Sequence, residues 1–273
     1  MSGGSAPLAQ TDGASPGALH ITTPIVAMRE VAKTFANGVE ALRGFSLDVG
    51  EGEFLSLLGP SGCGKSTVLR LVAGLGELSG GSIRWQGGDG RVPQRDIGFV
   101  FQEPTLMPWA TVFKNVLLPL KLRGTPPEAA ASRVREAIAL VGLEGFERAY
   151  PRELSGGMKM RVSIARALVT HPRVLLMDEP FASLDEITRI RLDNDLLQLW
   201  GSQRWTVLFV THSVYESVYL STRIAVMTAR PGRVAGEIAI EAPAPRDDAF
   251  RTSPLYSEYC RQVSGLLSEA IGI

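Results

Sequence analysis

The chain has 273 residues, of which 28 are lysine or arginine and 28 are aspartate or glutamate, so its formal net charge is zero. This balance provides no basic footprint for phosphate backbones and argues against DNA or RNA as a partner. Hydrophobic residues make up 45% of the chain, enough for a sizeable core, and the two distant cysteines indicate neither a disulfide framework nor a zinc site.

The beginning of the chain is rich in Gly, Ser, Ala and Pro, and we expect residues 1–24 to form a disordered tail. No run approaches the roughly 18 consecutive apolar residues that a membrane-spanning helix needs. Short apolar segments then predict these strands: Ile25–Val31, Phe45–Val49, Phe54–Leu58, Ser82–Trp85, Ile97–Phe101, Val174–Met177, Thr206–Val210 and Arg223–Met227.

Helical spacing of apolar residues predicts helices over Lys65–Ala73, over much of 126–166, and over Ile187–Trp200. Strands that alternate with helices favour an α/β fold with a mainly parallel sheet. The helical block is too long for an ordinary crossover, so we expect a helical subdomain at about 113–166. A Pro- and charge-rich stretch with a short amphipathic end makes 241–273 a C-terminal tail, outside a domain spanning 25–240.

A glycine-rich loop follows the strand Phe54–Leu58 and opens the next helix. It matches the pattern G-x-x-x-x-G-K-[ST] in the strand-to-helix context that this pattern requires. Glycines let consecutive N–H groups point at phosphate oxygens, the lysine pairs with the β- and γ-phosphates, and the hydroxyl holds Mg²⁺. The predicted phosphate-binding residues are Gly59, Pro60, Ser61, Gly62, Cys63, Gly64, Lys65, Ser66 and Thr67.

Two carboxylates end the strand Val174–Met177, where α/β sheets bind their ligands. Asp178 is predicted to help hold Mg²⁺ with Ser66, and Glu179 to accept a proton from an attacking water. The alternative is an acidic cap on a following helix, but Pro180 comes directly after the pair. Together with the phosphate loop, the motif predicts hydrolysis of a nucleoside triphosphate.

The run Leu154-Ser155-Gly156-Gly157-Met158, followed by a helix, closely resembles the signature sequence of ATP-binding-cassette (ABC) ATPases. The resemblance implies a P-loop NTPase fold with a mainly parallel sheet, a helical subdomain and an antiparallel β subdomain. It also implies ATP and Mg²⁺ as cofactors, and that Ser155, Gly156 and Gly157 contact the γ-phosphate.

Four further matches to the ABC family occur in the family's order. Phe35 is similar to the aromatic residue that stacks on adenine, and Gln102 to the Q-loop glutamine that senses Mg²⁺ and the attacking water. Ser183-Leu184-Asp185 resembles the D-loop, and His212 the switch histidine that contacts the γ-phosphate. Alone, such a histidine is usually packed or solvated, and such a phenylalanine is usually core.

Three positions depart from the family pattern. Met158 replaces the usual glutamine of the signature, Ala182 and Ser183 exchange the first two D-loop residues, and Ser213 replaces the aspartate after the switch histidine. Because the resemblance implies γ-phosphate contacts from the serine and the glycine backbone, we expect activity to survive. It further implies a head-to-tail dimer, in which Ser155 of one subunit faces the phosphate held by Lys65 of the other.

The stretch 106–112, Leu-Met-Pro-Trp-Ala-Thr-Val, resembles the nitrate/sulfonate/taurine branch of importer ATPases, as does Arg230-Pro231-Gly232-Arg233. That branch implies a transmembrane permease as partner, an indirect solute-binding protein, a small solute as cargo, and a peripheral place on the cytoplasmic face of the membrane. Residues 106–109 either form an apolar groove for a permease helix or pack under the helical subdomain. A soluble ATPase acting on ribosomes or DNA is the alternative function.

Overall fold

The computed structural model describes residues 24–87, 94–203, 205–242 and 246–272, so the predicted N-terminal tail lies outside the described residues except for Pro24. The strands of the described part are β1 (Pro24–Thr34), β2 (Glu40–Gly50), β3 (Phe54–Leu58), β4 (Gly80–Trp85), β5 (Ile97–Val100), β6 (Val174–Asp178), β7 (Thr206–Thr211), β8 (Arg223–Met227) and β9 (Val234–Ala239). The helices are α1 (Lys65–Val72), α2 (Val112–Leu122), α3 (Pro127–Leu140), α4 (Gly156–Leu168), α5 (Glu186–Gln203), α6 (Val214–Leu220), α7 (Asp248–Arg251) and α8 (Pro254–Ile271).

The larger sheet has the strand order β5-β6-β7-β3-β8-β9, and every neighbouring pair is parallel except β8 and β9. Strands β3, β7 and β8 are buried along their whole length, as expected of parallel strands that are covered on both faces. The mainly parallel sheet predicted from the sequence is therefore confirmed. Its order places β6, β7 and β3 side by side, with their carboxyl ends at one edge.

A second, antiparallel sheet has the order β2-β1-β4. Helix α1 packs between the two sheets, because its buried residues Val68 and Leu69 join one hydrophobic cluster with Phe45 of β2 and Leu208 of β7. This arrangement confirms the expected antiparallel β subdomain, and it ties the start of α1 to both sheets.

Helices α2, α3 and α4 pack against one another and form the helical part of the structure. The sequence pattern suggested helix over much of 126–166, but the structure has two α-helices there. Helix α3 ends before Gly142, which adopts a φ of 67°, and α4 begins after Ser155, whose side chain accepts a hydrogen bond from the backbone N–H of Met158. A left-handed glycine and a serine N-cap are typical helix boundaries.

The C-terminal residues that we expected to be a tail form α7 and α8. Helix α8 packs against α6 and β8 and buries Tyr256, Cys260 and Val263. Helix α6 and strand β9 were also absent from the sequence prediction, because α6 has only seven residues and β9 is only half-buried. Within the described part of the chain, no helix is long and apolar enough to cross a membrane.

Candidate functional site

The phosphate loop, residues 59–66, connects β3 to the N-terminus of α1. Gly62 and Gly64 adopt φ values of 75° and 108°, which L-residues with a side chain rarely reach. A Cβ atom at Gly64 would lie 2.8 Å from Cδ2 of Leu42 and 2.9 Å from the carbonyl oxygen of Ala41. The loop therefore needs glycine at this position both for its backbone conformation and for the room beside it.

Lys65 is only 4% exposed, which is rare for a lysine. Its Nζ donates hydrogen bonds to the carbonyl oxygens of Gly59 at 2.8 Å and Pro60 at 3.1 Å, and it lies 3.6 Å from Oε1 of Glu179. A buried ammonium needs such partners to offset its lost hydration. The phosphate loop thus holds a fixed positive charge at its mouth, next to a carboxylate.

Ser66 and Asp178 meet across the gap between α1 and β6. The Ser66 hydroxyl donates a hydrogen bond of 2.8 Å to Oδ1 of Asp178, the last residue of the strand. Burial raises the pKa of Asp178 above its usual value. Two oxygen ligands, one of them a partly desolvated carboxylate, match the donor chemistry that Mg²⁺ prefers, so the residues present fit this ion.

Glu179 and His212 follow the neighbouring strands β6 and β7. The Glu179 backbone has a φ of 45°, and its N–H donates to the carbonyl oxygen of Val210 at 3.0 Å. This bond fixes the turn after β6 and brings Oε2 of Glu179 to 3.2 Å from Nδ1 of His212. Strain at a non-glycine residue is common at functional sites. Glu179 thus lies between the lysine and the histidine.

A cleft at the phosphate loop collects residues from both sheets. Phe35, which is 44% exposed, lies at its rim, with Nζ of Lys33 5.5 Å from the ring centroid. The described residues that line the cleft are Phe35, Val39, Ala41, Ser61, Gly62, Gly64, Lys65, Ser66, Thr67, Glu179 and Arg230. Sequence reasoning missed Val39, Ala41 and Arg230, because the first two are small apolar residues outside any motif and the third is distant in sequence.

The signature residues lie elsewhere: among the described lining residues of the cleft, none comes from Ser155, Gly156 or Gly157. A Cβ at Gly157 would be 2.7 Å from Cγ2 of Thr188, whose backbone N–H donates to Oδ1 of Asp185 at 3.0 Å. The hydrogen bond from Thr188 lowers the pKa of Asp185 below its usual value. The structure thus packs the signature against the segment that follows the D-loop, and neither Ser155 nor Asp185 is among the described residues that line the cleft.

Gln102 lies two residues beyond the end of β5 and is exposed. It is not among the described residues that line the cleft. Its strand is nevertheless the neighbour of β6, so Gln102 belongs to the same edge of the sheet as Asp178 and Glu179. Pro60 and Cys63 lie within the phosphate loop, and the Cys63 thiol is buried, which raises its pKa.

Comparisons with known proteins match this geometry. A family model described as ABC transporter matches residues 42–182. The chain is 49% identical over 235 residues to an uncharacterized ABC transporter ATP-binding protein of Methanocaldococcus jannaschii. The alignment covers 86% of this chain and 87% of that protein. The chain belongs to the ABC transporter ATP-binding family. This ABC ATPase is also 44% identical over 241 residues to the aliphatic sulfonates import ATP-binding protein SsuB of Bacillus licheniformis, covering 87% and 92% of the two chains.

Solved structures confirm the ABC ATPase fold. CbiO1 of Clostridium perfringens, described as part of the ABC transporter complex CbiONQ, aligns with a TM-score of 0.72 and 28% identity over 80% of this chain and 89% of that one. A dimeric ATP-binding cassette in a post-hydrolysis state, bound to ADP and Pi, aligns with a TM-score of 0.69 and 33% identity over 80% and 100% of the chains. The ABC ATPase described here therefore binds nucleotide and hydrolyses ATP.

Proposed function

We propose that this ABC ATPase is the motor subunit of an importer, in which a head-to-tail dimer couples ATP hydrolysis to uptake of a small solute through a membrane permease. The observation that carries the proposal is the 44% identity to an aliphatic sulfonates import ATP-binding protein over nearly the whole length of both chains. A solute of the nitrate, sulfonate or taurine type is the proposed cargo. The proposed place is the cytoplasmic face of the membrane, held there by the permease.

The cleft residues divide the chemistry of hydrolysis among them. Lys65, already positive and buried, binds the β- and γ-phosphates, and the phosphate-loop N–H groups surround them. Glu179 accepts the proton of the attacking water, and His212 orients the Glu179 carboxylate through its Nδ1 contact and reaches the γ-phosphate. Phe35 stacks on the adenine. Most of the catalysis is thus positioning and charge stabilisation, as expected for phosphoryl transfer.

Ser66 and Asp178 hold Mg²⁺ in this proposal, with Gln102 from the end of β5 as a third oxygen donor. When bound, the ion neutralises charge on the phosphate oxygens. The support is the 2.8 Å contact between the Ser66 hydroxyl and the Asp178 carboxylate, together with the raised pKa of that carboxyl group. A nearby divalent charge would favour the ionised carboxylate and lower this pKa.

A second subunit completes each ATP site in the proposed dimer. The signature residues and Asp185 do not line the cleft of their own subunit. In the proposed dimer they contact the γ-phosphate of nucleotide that is bound to the partner chain. Two-fold symmetry makes the two sites equivalent. The relative that was solved as a dimer with ADP and Pi supports this arrangement. Closure with ATP and opening after hydrolysis form the mechanical cycle.

The surface after β5 has the character needed to bind a permease helix. A groove there has an apolar side formed by Phe99, Phe101, Leu118 and Leu122, of which Leu122 is 79% exposed. Its polar lining residues are Thr105, Arg123, Arg166 and Thr170. The rings of Phe99 and Phe101 stack with their centroids 4.2 Å apart. Exposed apolar side chains of this kind mark interaction sites. An amphipathic helix from the permease is the proposed occupant.

The stretch 106–109 is partly packed and partly exposed, which supports both of the roles that the sequence left open. Leu106 packs against the main hydrophobic cluster, whereas Trp109 is 75% exposed. The buried side chain of Asn115 fixes the segment, because it accepts a hydrogen bond from the N–H of Met107 at 2.8 Å and donates to the carbonyl oxygen of Ala110 at 3.0 Å. Tryptophan is common among the residues that contribute most to binding energy, so an exposed tryptophan on a rigid loop supports a role in partner binding.

The test starts from tagged Glu179→Gln protein purified in mild detergent with ATP from its native cells. The expected result is co-purification of a multi-span membrane protein in stoichiometric amount. In proteoliposomes, the wild-type complex with its solute-binding protein should raise ATP hydrolysis when an aliphatic sulfonate is added. Ribosomal or DNA-associated partners without a permease would contradict the importer assignment and leave the ATPase activity standing.

Two variants of the proposed permease surface and one control variant make this test specific. Trp109→Asp and Leu122→Asp place a charge on the proposed permease surface and should abolish co-purification. Leu75→Asp changes a leucine that is 60% exposed elsewhere and should leave it intact. All three variants should hydrolyse ATP like the wild type in the absence of the permease, because none of these residues lines the ATP cleft.

A further inference from the structure

Arg230, in the connection between β8 and β9, reaches across to the phosphate loop. Its Nε and Nη2 donate hydrogen bonds of 3.1 Å and 3.0 Å to the carbonyl oxygen of Gly62, a residue 168 positions earlier in the chain. Arg230 is exposed and could otherwise remain in solvent with its full rotamer freedom. Two donors on one acceptor instead hold this side chain over a single peptide group of the loop.

The connection that carries Arg230 has little freedom of its own. A Cβ at Gly232 would lie 2.1 Å from the carbonyl oxygen of Cys63, so glycine is required where the two loops touch. The Gly232 N–H donates to the carbonyl oxygen of Ala41 at 2.9 Å. The Thr228 N–H donates to the carbonyl oxygen of Arg233 at 3.0 Å and closes the turn. Arg230 therefore extends from a turn that is seated directly on the phosphate loop.

Gly62 is one of the points at which a distant segment contacts the phosphate loop. Its φ of 75° is open to glycine, but glycine is also the most flexible residue when it is not restrained. Hydrogen bonds to its carbonyl oxygen restrain the peptide plane that connects Gly62 to Cys63. The Cys63 N–H of the same plane donates to the carbonyl oxygen of Pro60 at 3.3 Å, and the N–H groups that follow are the ones that the motif predicts to bind phosphate oxygens. Restraining this plane before nucleotide arrives reduces the ordering cost of binding.

We infer that Arg230 is a positioning residue for nucleotide binding, which holds the phosphate loop in its binding conformation through the carbonyl group of Gly62. The inference rests on the proposed ATP site and adds to it a residue that acts through the loop. Its guanidinium also lines the same cleft as Lys65, so it adds positive charge where a polyphosphate binds. Among the described residues that line this cleft, Glu179 is the one with an acidic side chain.

The experiment compares Arg230→Ala with the wild type in steady-state ATP hydrolysis, ADP titration calorimetry and thermal unfolding. Loss of a charge-assisted hydrogen bond at an exposed site should raise KM for ATP and Kd for ADP about five- to twentyfold. The kcat at saturating ATP should stay within about twofold, because the hydrogen bonds of Arg230 go to Gly62 and not to Glu179 or His212. Arg230→Lys keeps the charge but offers a single nitrogen, so its KM should fall between the two.

Two further variants separate the possible outcomes. Arg233→Ala removes an exposed arginine from the same turn and should leave KM and Kd unchanged. Lys65→Ala should abolish tight binding of nucleotide. If Arg230→Ala keeps the wild-type KM and Kd while Lys65→Ala loses binding, the positioning role is wrong and the ATP site stands. If kcat and Tm fall at unchanged KM, Arg230 is only structural. If Lys65→Ala also binds normally, the proposed ATP site itself is wrong.

Discussion

The carboxylate of Glu179 and the imidazole of His212 lie 3.2 Å apart at the carboxyl ends of the neighbouring strands β6 and β7. The other oxygen of Glu179 lies 3.6 Å from Nζ of Lys65. A carboxylate held between a histidine and a lysine is oriented from two sides. The pair is therefore the place where substitutions should affect hydrolysis more than nucleotide binding.

Glu179→Gln should bind ATP with an affinity within about threefold of the wild type but lower kcat about 10²–10⁴-fold, because an amide cannot accept the proton of the attacking water. The measurement combines ATP titration with phosphate release. In size-exclusion chromatography with ATP the variant should elute as a dimer. Glu186→Gln, which changes an exposed carboxylate at the start of α5, is the control. Fast turnover by Glu179→Gln would remove Glu179 from the role of general base.

His212→Ala should lower kcat about 10²-fold or more, with nucleotide affinity nearly unchanged, since in the proposed function the histidine acts with Glu179 on one reacting water. The double variant with Glu179→Gln should be hardly slower than Glu179→Gln alone, because residues that act as a unit are strongly non-additive. Single-turnover hydrolysis of all three variants measures this coupling. Additive losses would show that the 3.2 Å contact has no part in catalysis.

Mixing two inactive variants tests the shared ATP sites. Lys65→Ala and Ser155→Arg should each be nearly inactive as homodimers. In a mixed dimer, one site receives both changes, while the other combines an intact Lys65 with an intact Ser155 from the partner. Co-expression should thus restore up to about half of the wild-type activity per mixed dimer. No recovery in a purified mixed dimer would indicate that each subunit uses its own signature.

Gly64→Ala should lower the free energy of unfolding by about 2–4 kcal/mol, because a Cβ there meets Leu42 and the backbone of Ala41 at a φ of 108°. Nucleotide binding should be lost with it. Gly201→Ala is the matched control, since Gly201 lies in α5 with open space around its Cβ position. There the alanine should stabilise by about 0.5–1 kcal/mol. Urea unfolding of both variants measures the difference.

Glu216→Gln should flatten the pH dependence of stability. Burial raises the pKa of Glu216 from 4.5 to about 8, and the Asp193 and Glu179 carboxylates also raise it, while Arg189 and the hydrogen bond from Thr211 lower it. The folded protein thus keeps a proton that the unfolded chain loses above about pH 4.5, so this group's stabilising contribution is complete below pH 4.5 and is lost as pH rises through 8.

Glutamine cannot ionise, and its amide oxygen can still accept the Thr211 hydroxyl that Glu216 holds. Relative to the wild type, the variant should gain about 3–4 kcal/mol of stability as the pH rises from 5 to 8. Urea unfolding at three pH values measures this gain. Glu269→Gln, an exposed change in α8, should leave the wild-type slope in place. An equal slope in Glu216→Gln would show that Glu216 is ionised in the folded protein.

Local motifs carried the sequence-based prediction. The phosphate loop and the pair Asp178-Glu179 each consist of one strand and the turn after it. Because their residues are neighbours in sequence, such motifs can be recognised from the sequence alone. The structure confirms the mainly parallel sheet and places Lys65, Asp178, Glu179 and His212 at one edge of it. The roles assigned to these side chains, and to Phe35, Gln102 and Asp185, stay predictions for the variants above.

Periodicity was a weaker guide where burial comes from distant partners. Helix α6 is too short for an amphipathic pattern, and α8 acquires its buried face by packing on α6 and β8. Arg246 is an example of a contact between residues far apart in sequence. Its guanidinium donates to the carbonyl oxygens of Tyr219 and Ser221 at 2.8 Å and 2.7 Å, near the end of α6. A side chain that caps a remote helix has no periodic signal in its own sequence.

The amino-acid sequence by itself thus determined the strand-to-loop-to-helix geometry at Lys65 and the acidic end of β6, because neighbours along the chain set both. Only the tertiary structure decided which motifs share a cleft. The strand order β6-β7-β3 brings His212 to Glu179, the turn after β8 brings Arg230 to Gly62, and the start of α4 packs closely on Thr188 of α5. These pairings depend on sheet order and close packing, which act between residues far apart in sequence.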